Sequence, residues 1–117
     1  MSIGTILEVP GIRAAVAAKT AVGVSPIIGG APVRGMADAC LAAIGVDTSA
    51  AAVAAHYGAE LIDGWLVDDQ DKATVHILGD DPALAGLEVR ALPLLMRDLP
   101  ATTAIARAAL DLAQELR

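Results

Sequence analysis

The chain has 117 residues, enough for one small domain with a modest core, and carries a net charge of −6. Its eight Lys and Arg residues are scattered, which argues against nucleic-acid binding. Apolar residues make up 56% of the chain, yet no run approaches the roughly 18 that a membrane-spanning helix needs.

No basic stretch followed by an apolar segment and a small-residue cleavage site marks a secretory signal. The single cysteine, Cys40, has no internal disulfide partner. Both features fit a cytoplasmic protein. Aromatic residues are only 2% of the chain, so the apolar mass is Ala, Val, Leu and Ile. With a membrane span set aside, that excess points to an oligomer interface or to part of a larger fold.

Residues 10–19 read as a helix, with proline in the first turn and Ile12 four residues before Val16. Lys19 stands where the terminal carbonyls favour a cation. Residues 20–24 form a short strand, apolar on both faces, which predicts a buried parallel strand. The loop Ser25-Pro26-Ile27-Ile28-Gly29-Gly30 follows and runs on to Gly35.

A second helix is expected over residues 35–44, with Met36, Cys40, Leu41 and Ile44 on one side and Gly45 as its stop. Asp47, Thr48 or Ser49 caps a third, where Val53 and Tyr57 share a face and Gly58 ends it. Residues 61–67 are the next strand, interrupted by Gly64, and residues 68–72 an exposed charged turn. Residues 73–78 read as a short extended piece, residues 80–82 as a turn and residues 83–86 as one helical turn. Residues 87–92 are a third strand. The last helix starts at Asp98 and Pro100, with Ile105, Ala109, Leu112 and Leu116 in one stripe and Arg117 at its carbonyl end.

Strands alternating with helices predict an α/β fold with parallel strands joined by right-handed crossovers. Three strands are few for such a sheet, which needs helices on both faces and blunted edges. No strand opens the chain. The expected architecture is thus a single partial domain over residues 1–117.

In open α/β sheets, ligands sit at the carboxyl ends of strands and against helix amino termini. The loop 25–35 occupies that place. Gly29, Gly30 and Gly35 permit positive φ and close approach of backbone N–H groups to an anion. Ser25 adds a hydroxyl and Arg34 a guanidinium fork suited to phosphate. A tight connection with no ligand is the competing reading of the same glycines.

Asp38, in the first turn of the following helix, can favour its dipole, hold Arg34 or order the loop. Asp68, Asp69 and Asp71 lack calcium-loop spacing and read as a solvated turn. His56 falls at a helix end and His76 in a polar stretch, neither at zinc-ligand spacing. Cys40 reads as a small core residue on an apolar helical face. Ser25 has no evident base and no nucleophile-elbow motif, so catalytic and metal-ligating residues are expected to be none.

A set of motifs in order gives these positions a more specific reading. It comprises Ser2-Ile3-Gly4, Val9-Pro10-Gly11-Ile12-Arg13, Val24 to Gly30, Arg34-Gly35-Met36-Ala37-Asp38 and His56-Tyr57-Gly58. Asp63-Gly64-Trp65-Leu66-Val67 and Leu94-Leu95-Met96-Arg97-Asp98 complete it. The set resembles the 2-phospho-L-lactate transferase (CofD) family, nearest its actinobacterial phosphoenolpyruvate branch, over nearly the whole chain. The resemblance implies a Rossmann-like fold and a step in the synthesis of the deazaflavin coenzyme F-420. A phospho-lactyl or phospho-enolpyruvyl group passes from a guanosine diphosphate-linked donor to the ribityl hydroxyl of the deazaflavin precursor, with release of GMP and a need for Mg2+.

The likeness is to the carboxy-terminal part of that family. It places Ser25, Pro26, Ile27, Ile28, Gly29 and Gly30 at the donor nucleotide, with Ser2 and Gly4 nearby. Arg34, Gly35 and Asp38 serve the phosphate or order the loop. The family's amino-terminal phosphate loop and magnesium-binding acids have no counterpart in these residues. The expected partners are therefore the small-molecule donor and acceptor, together with an amino-terminal half or a second copy of the chain. The alternative is a non-catalytic module that binds a nucleotide or a protein partner.

Overall fold

The architecture was obtained as a computed structural model, which describes residues 2–32 and 36–116. Two short helices come first, α1 (Ser2–Leu7) and α2 (Ile12–Ala17), joined through Gly11. Gly11 has φ +88°, so the helix expected from residue 10 starts only after it. Strand β1 (Val22–Val24) leads into a small antiparallel hairpin of β2 (Ile27–Ile28) and β3 (Ala31–Pro32). Helices α3 (Ala37–Ala43) and α4 (Ala50–Tyr57) then lead to β4 (Gly64–Val67). A 3₁₀ turn (Asp69–Asp71), helix α5 (Thr74–Gly79), a second 3₁₀ turn (Pro82–Leu84), β5 (Glu88–Ala91) and α6 (Leu99–Glu115) complete the chain.

The main sheet is three-stranded and parallel, in the order β1-β4-β5, as the alternation of elements predicts. The fold is α/β and Rossmann-like in its partial sheet and flanking helices. Strand β4 is central and wholly buried. On one face, Trp65, Val67 and Val89 pack with Leu41 of α3, Val53 and Ala54 of α4 and Leu78 of α5. The Trp65 indole N–H donates to the Ala50 carbonyl at 3.2 Å, which fixes the ring under α4. On the other face, Leu66 packs with Leu94 and with Ile105 and Leu112 of α6. Each fully buried large side chain here is worth about 1.5–3 kcal/mol of transfer free energy.

Two glycines let these layers close. A Cβ on Gly23 would lie 2.5 Å from Trp65 Cζ3, and one on Gly64 would lie 2.7 Å from Leu112 Cδ2. Gly64 is the first residue of β4 and the contact point for α6, so the strand expected over residues 61–67 starts only at Gly64. Helix ends follow the expected chemistry. Ser49 caps α4 by accepting from Ala52 N–H at 3.0 Å, and Asp98 caps α6 by accepting from Ala101 N–H at 2.8 Å. Gly45 and Gly58 take positive φ where α3 and α4 stop.

Several expectations are corrected. Residues 73–78 are not extended: Thr74 and Leu78, one helical turn apart, are both buried on α5. Their burial against the sheet overrides the β-branched local preference, and a parallel β4–β5 pair needs a crossover there. Strand β1 lies at the sheet edge with Val24 exposed, and is not buried on both sides. Cys40 is exposed, as are Met36 and Ile44, so only Leu41 of that set enters the core. The turn after β4 is not wholly solvated, since Asp68 is only 7% exposed. Helix α1 and the β2–β3 hairpin had no clear signal in the sequence.

Candidate functional site

The three parallel strands end on one side of the sheet, and three segments leave from there. The first is the loop after β1. Ser25 is buried, and its backbone N–H donates to the Leu66 carbonyl at 2.8 Å, extending the ladder by one residue. Its hydroxyl donates to the Ile27 carbonyl and accepts from the Ile27 N–H, both at 3.1 Å. Ser25 thus folds the loop back on itself. Pro26 is half-buried, Ile27 is fully buried in the core and Ile28 packs against the α6 side.

Gly29 and Gly30 then make the two-residue turn between β2 and β3, with φ +60° and +82°. Positive φ at both positions is what a primed hairpin turn requires, and glycine adopts it without strain. Both glycines are exposed, so the turn is presented at the carboxyl edge of the sheet. The loop is therefore a hairpin, where the sequence suggested a strand-to-helix connection.

The second segment follows β4. Asp68 Oδ1 accepts from Leu94 N–H at 2.8 Å, and its Oδ2 accepts from Gln70 N–H at 3.0 Å. One buried carboxylate thus ties the β4 exit to the third segment, which leaves β5. Asp71 Oδ2 accepts from the Gly29 N–H at 3.0 Å, and Gln70 Oε1 would lie 2.8 Å from a Cβ placed on Gly29. The turn read as solvated acid is the support of the glycine hairpin. Its position directly after a central strand was the signal that could have found it, because topology brings all three exits together.

The remaining candidates lie around this edge or away from it. Asp38 is exposed in the first turn of α3, and its Oδ1 accepts from Ala39 N–H at 2.9 Å. Arg34 and Gly35 lie outside the described residues. Gly4 lies in α1, whose residues Ile3, Ile6 and Leu7 line an apolar cleft beside β1; Ser2 begins the same helix. His56 and His76 are exposed. Tyr57 is half-buried against Trp65, with ring centroids 6.1 Å apart, and burial pushes its phenol above the usual tyrosine value.

Among the described residues, no group of three or more His, Cys, Asp or Glu side chains is placed to hold a metal ion. The magnesium implied by the family resemblance therefore finds no ligand set among them. Chemically, the arrangement offers an exposed glycine turn whose one pinned amide already carries a carboxylate. Such a turn can form one wall of an anion site, and the side chain bonded to it is the Asp71 carboxylate.

No protein-family model matches the chain. Curated relatives match it along its length. It is 68% identical over 117 residues to a phosphoenolpyruvate transferase of Thermobifida fusca, covering 100% of this chain and 34% of the relative. It is 57% identical over 119 aligned positions to one of Streptomyces griseus, covering 100% of this chain and 36% of the relative. The Mycobacterium tuberculosis phosphoenolpyruvate transferase is 53% identical, across 97% of this chain and 33% of its own length. The chain spans about a third of the length of these relatives. Among the described residues, no helix is long and apolar enough to cross a membrane.

Proposed function

We propose that this chain is the carboxy-terminal segment of a cytoplasmic CofD-type transferase of coenzyme F-420 synthesis. The transferase moves a phospho-enolpyruvyl or phospho-lactyl group from a guanosine diphosphate-linked donor to the deazaflavin precursor, releasing GMP. The observation that carries this reading is identity of 68% to a phosphoenolpyruvate transferase along the entire chain. The geometry supports it, because the hairpin turn Gly29-Gly30 stands at the carboxyl end of a parallel sheet, where such folds bind nucleotides.

In this reading the chain's own residues position rather than react. Ser25 and Asp71 hold the hairpin in shape, and the exposed Gly29-Gly30 backbone forms one wall of the donor site. Arg34 and Asp38 serve the phosphate or order the loop, and Ser2 and Gly4 approach the nucleotide from α1. The Mg2+ that offsets phosphate charge is held by acids in the remaining two thirds of the polypeptide.

The test is a chimera in which this chain replaces the matching third of the Thermobifida fusca transferase. We expect GMP release and mass-spectrometric appearance of the phospho-enolpyruvylated deazaflavin with Mg2+ present. A folded chimera that releases no GMP would refute the reading. It would favour a non-catalytic module, a reading favoured by one observation: the Gly29 amide is already taken by Asp71.

A further inference from the structure

A hairpin turn of two glycines needs little from outside to keep its shape. Gly29 and Gly30 take φ +60° and +82°, and Ile28 pairs with Ala31 directly across the turn. At its base Ile27 is fully buried, and the Ser25 hydroxyl bonds both the N–H and the carbonyl of Ile27. These contacts are local or buried. The bond from the Gly29 N–H to Asp71 Oδ2, 3.0 Å long, is neither: it is exposed and spans 42 residues. The hairpin therefore keeps its turn when that one bond opens.

What Asp71 brings to the turn is a negative charge. It ends the 3₁₀ turn Asp69–Asp71, which Asp68 caps by accepting from the Gln70 N–H. The Asp68 carboxylate is fully engaged, since its other oxygen accepts from the Leu94 N–H. Asp71 is less committed. It is half-buried, and among the described residues no Lys, Arg or His side chain forms an ion pair with it. A carboxylate oxygen on a backbone N–H at the carboxyl margin of a parallel sheet makes the contact that a phosphate oxygen makes there. One N–H serves one anion well, and two anions gathered at it repel each other at short range.

We propose that Asp71 competes with the donor: its carboxylate fills the anion position of the Gly29-Gly30 turn in the empty site, and a phosphate oxygen of the guanosine diphosphate-linked donor displaces it. This rests on the proposed function, which supplies the donor, and adds a residue that sets the donor's affinity. An occupied Gly29 amide and a nucleotide wall are then two states of one turn. Asp71 steadies the turn while the site is empty and weakens binding of every phosphate-bearing ligand. The released GMP meets the same competition, so its departure is hastened.

Calorimetric titration of GDP, and of guanosine as the ligand without phosphate, tests the proposal on the chimera and its Asp71→Asn and Asp71→Ala variants. Both substitutions remove the charge, and Asn keeps an acceptor for the Gly29 N–H. We expect GDP to bind each variant about fivefold more tightly than the unsubstituted chimera, with guanosine unchanged to within about twofold. Circular dichroism melts check the fold of each, and Asp71→Asn carries the test where Asp71→Ala does not fold. Equal or weaker GDP binding by the folded variants would overturn the proposal, and the weaker result would make Asp71 a fixed support of the wall. Guanosine binding that tightens as much as GDP binding would overturn it too. An unsubstituted chimera that binds no GDP removes the functional reading and this one with it, whereas GDP binding that is indifferent to Asp71 removes this one alone.

Discussion

Individual contacts make the sharpest predictions. A Cβ at Gly23 would fall 2.5 Å from Cζ3 and 2.6 Å from Cε3 of Trp65, a ring pinned under α4 by its bond to Ala50. Gly23→Ala should therefore destabilise the chain by about 1–3 kcal/mol, the usual range for overpacking. Trp65 is the only tryptophan, so urea unfolding followed by its fluorescence reads the loss directly. Asp68 holds two backbone N–H groups, one of them buried at Leu94. Asp68→Ala leaves that donor unpaired and should cost about 1–3 kcal/mol. Asp68→Asn keeps an acceptor oxygen for Leu94 and should recover part of the loss in the same assay.

Tyr57 adds a pH dependence. Burial raises its phenol above the ordinary value of 10.0, so the folded state holds the proton more tightly than the unfolded chain. Its contribution to stability is complete below about pH 10 and is lost as pH rises through the folded value. Denaturation curves taken from pH 8 upward should show stability falling at the alkaline end. Tyr57→Phe should flatten that fall, and an unchanged slope would contradict the assignment.

Among the elements, the hairpin β2–β3 depends on two consecutive residues with positive φ. Replacing Gly29 and Gly30 together by alanine should cost about 1–2 kcal/mol per position. An Asn-Gly pair, which suits the same turn, should be tolerated. Thermal melts of the two variants separate these outcomes. Helix α5 shows where local signals gave out. Its sequence, Thr-Val-His-Ile-Leu-Gly, is rich in β-branched residues, and only its packing through Thr74 and Leu78 makes it helical. Helix α6, by contrast, was legible in its start and its buried stripe, since Asp98, Pro100 and the Ile105–Leu112 spacing are local and periodic, while Arg117, expected at its carbonyl end, lies outside the described residues. The hairpin was hidden because Ile27 and Ile28 resemble a loop's apolar anchor until their partners Pro32 and Ala31 are known. The support from Asp71 was hidden for the same reason: 42 residues separate it from Gly29.

For the molecule as a whole, the parallel order β1-β4-β5, the burial of β4 and the helices on both faces follow from the alternation of elements. The radius of gyration is 13.7 Å. That is close to the roughly 13.4 Å expected of a compact domain of this length, so the described part packs as a unit. The apolar excess noted in the composition goes partly into that core. Part of the rest lies on α1, the α1–α2 turn and the free side of β1, as Ile3, Ile6, Val9 and Val24, and part elsewhere on the surface, as Met36, Ile44, Ile77, Leu95, Met96, Leu99 and Leu110.

The glycine hairpin as a wall of the donor site is the claim on which the functional account turns. It is tested most directly by steady-state kinetics of the chimera carrying Gly29→Ala and Gly30→Ala together. The account predicts that the KM for the guanosine diphosphate-linked donor rises about tenfold, worth about 1.4 kcal/mol, while the KM for the deazaflavin acceptor stays within about twofold. A folded double variant with both constants unchanged would contradict it.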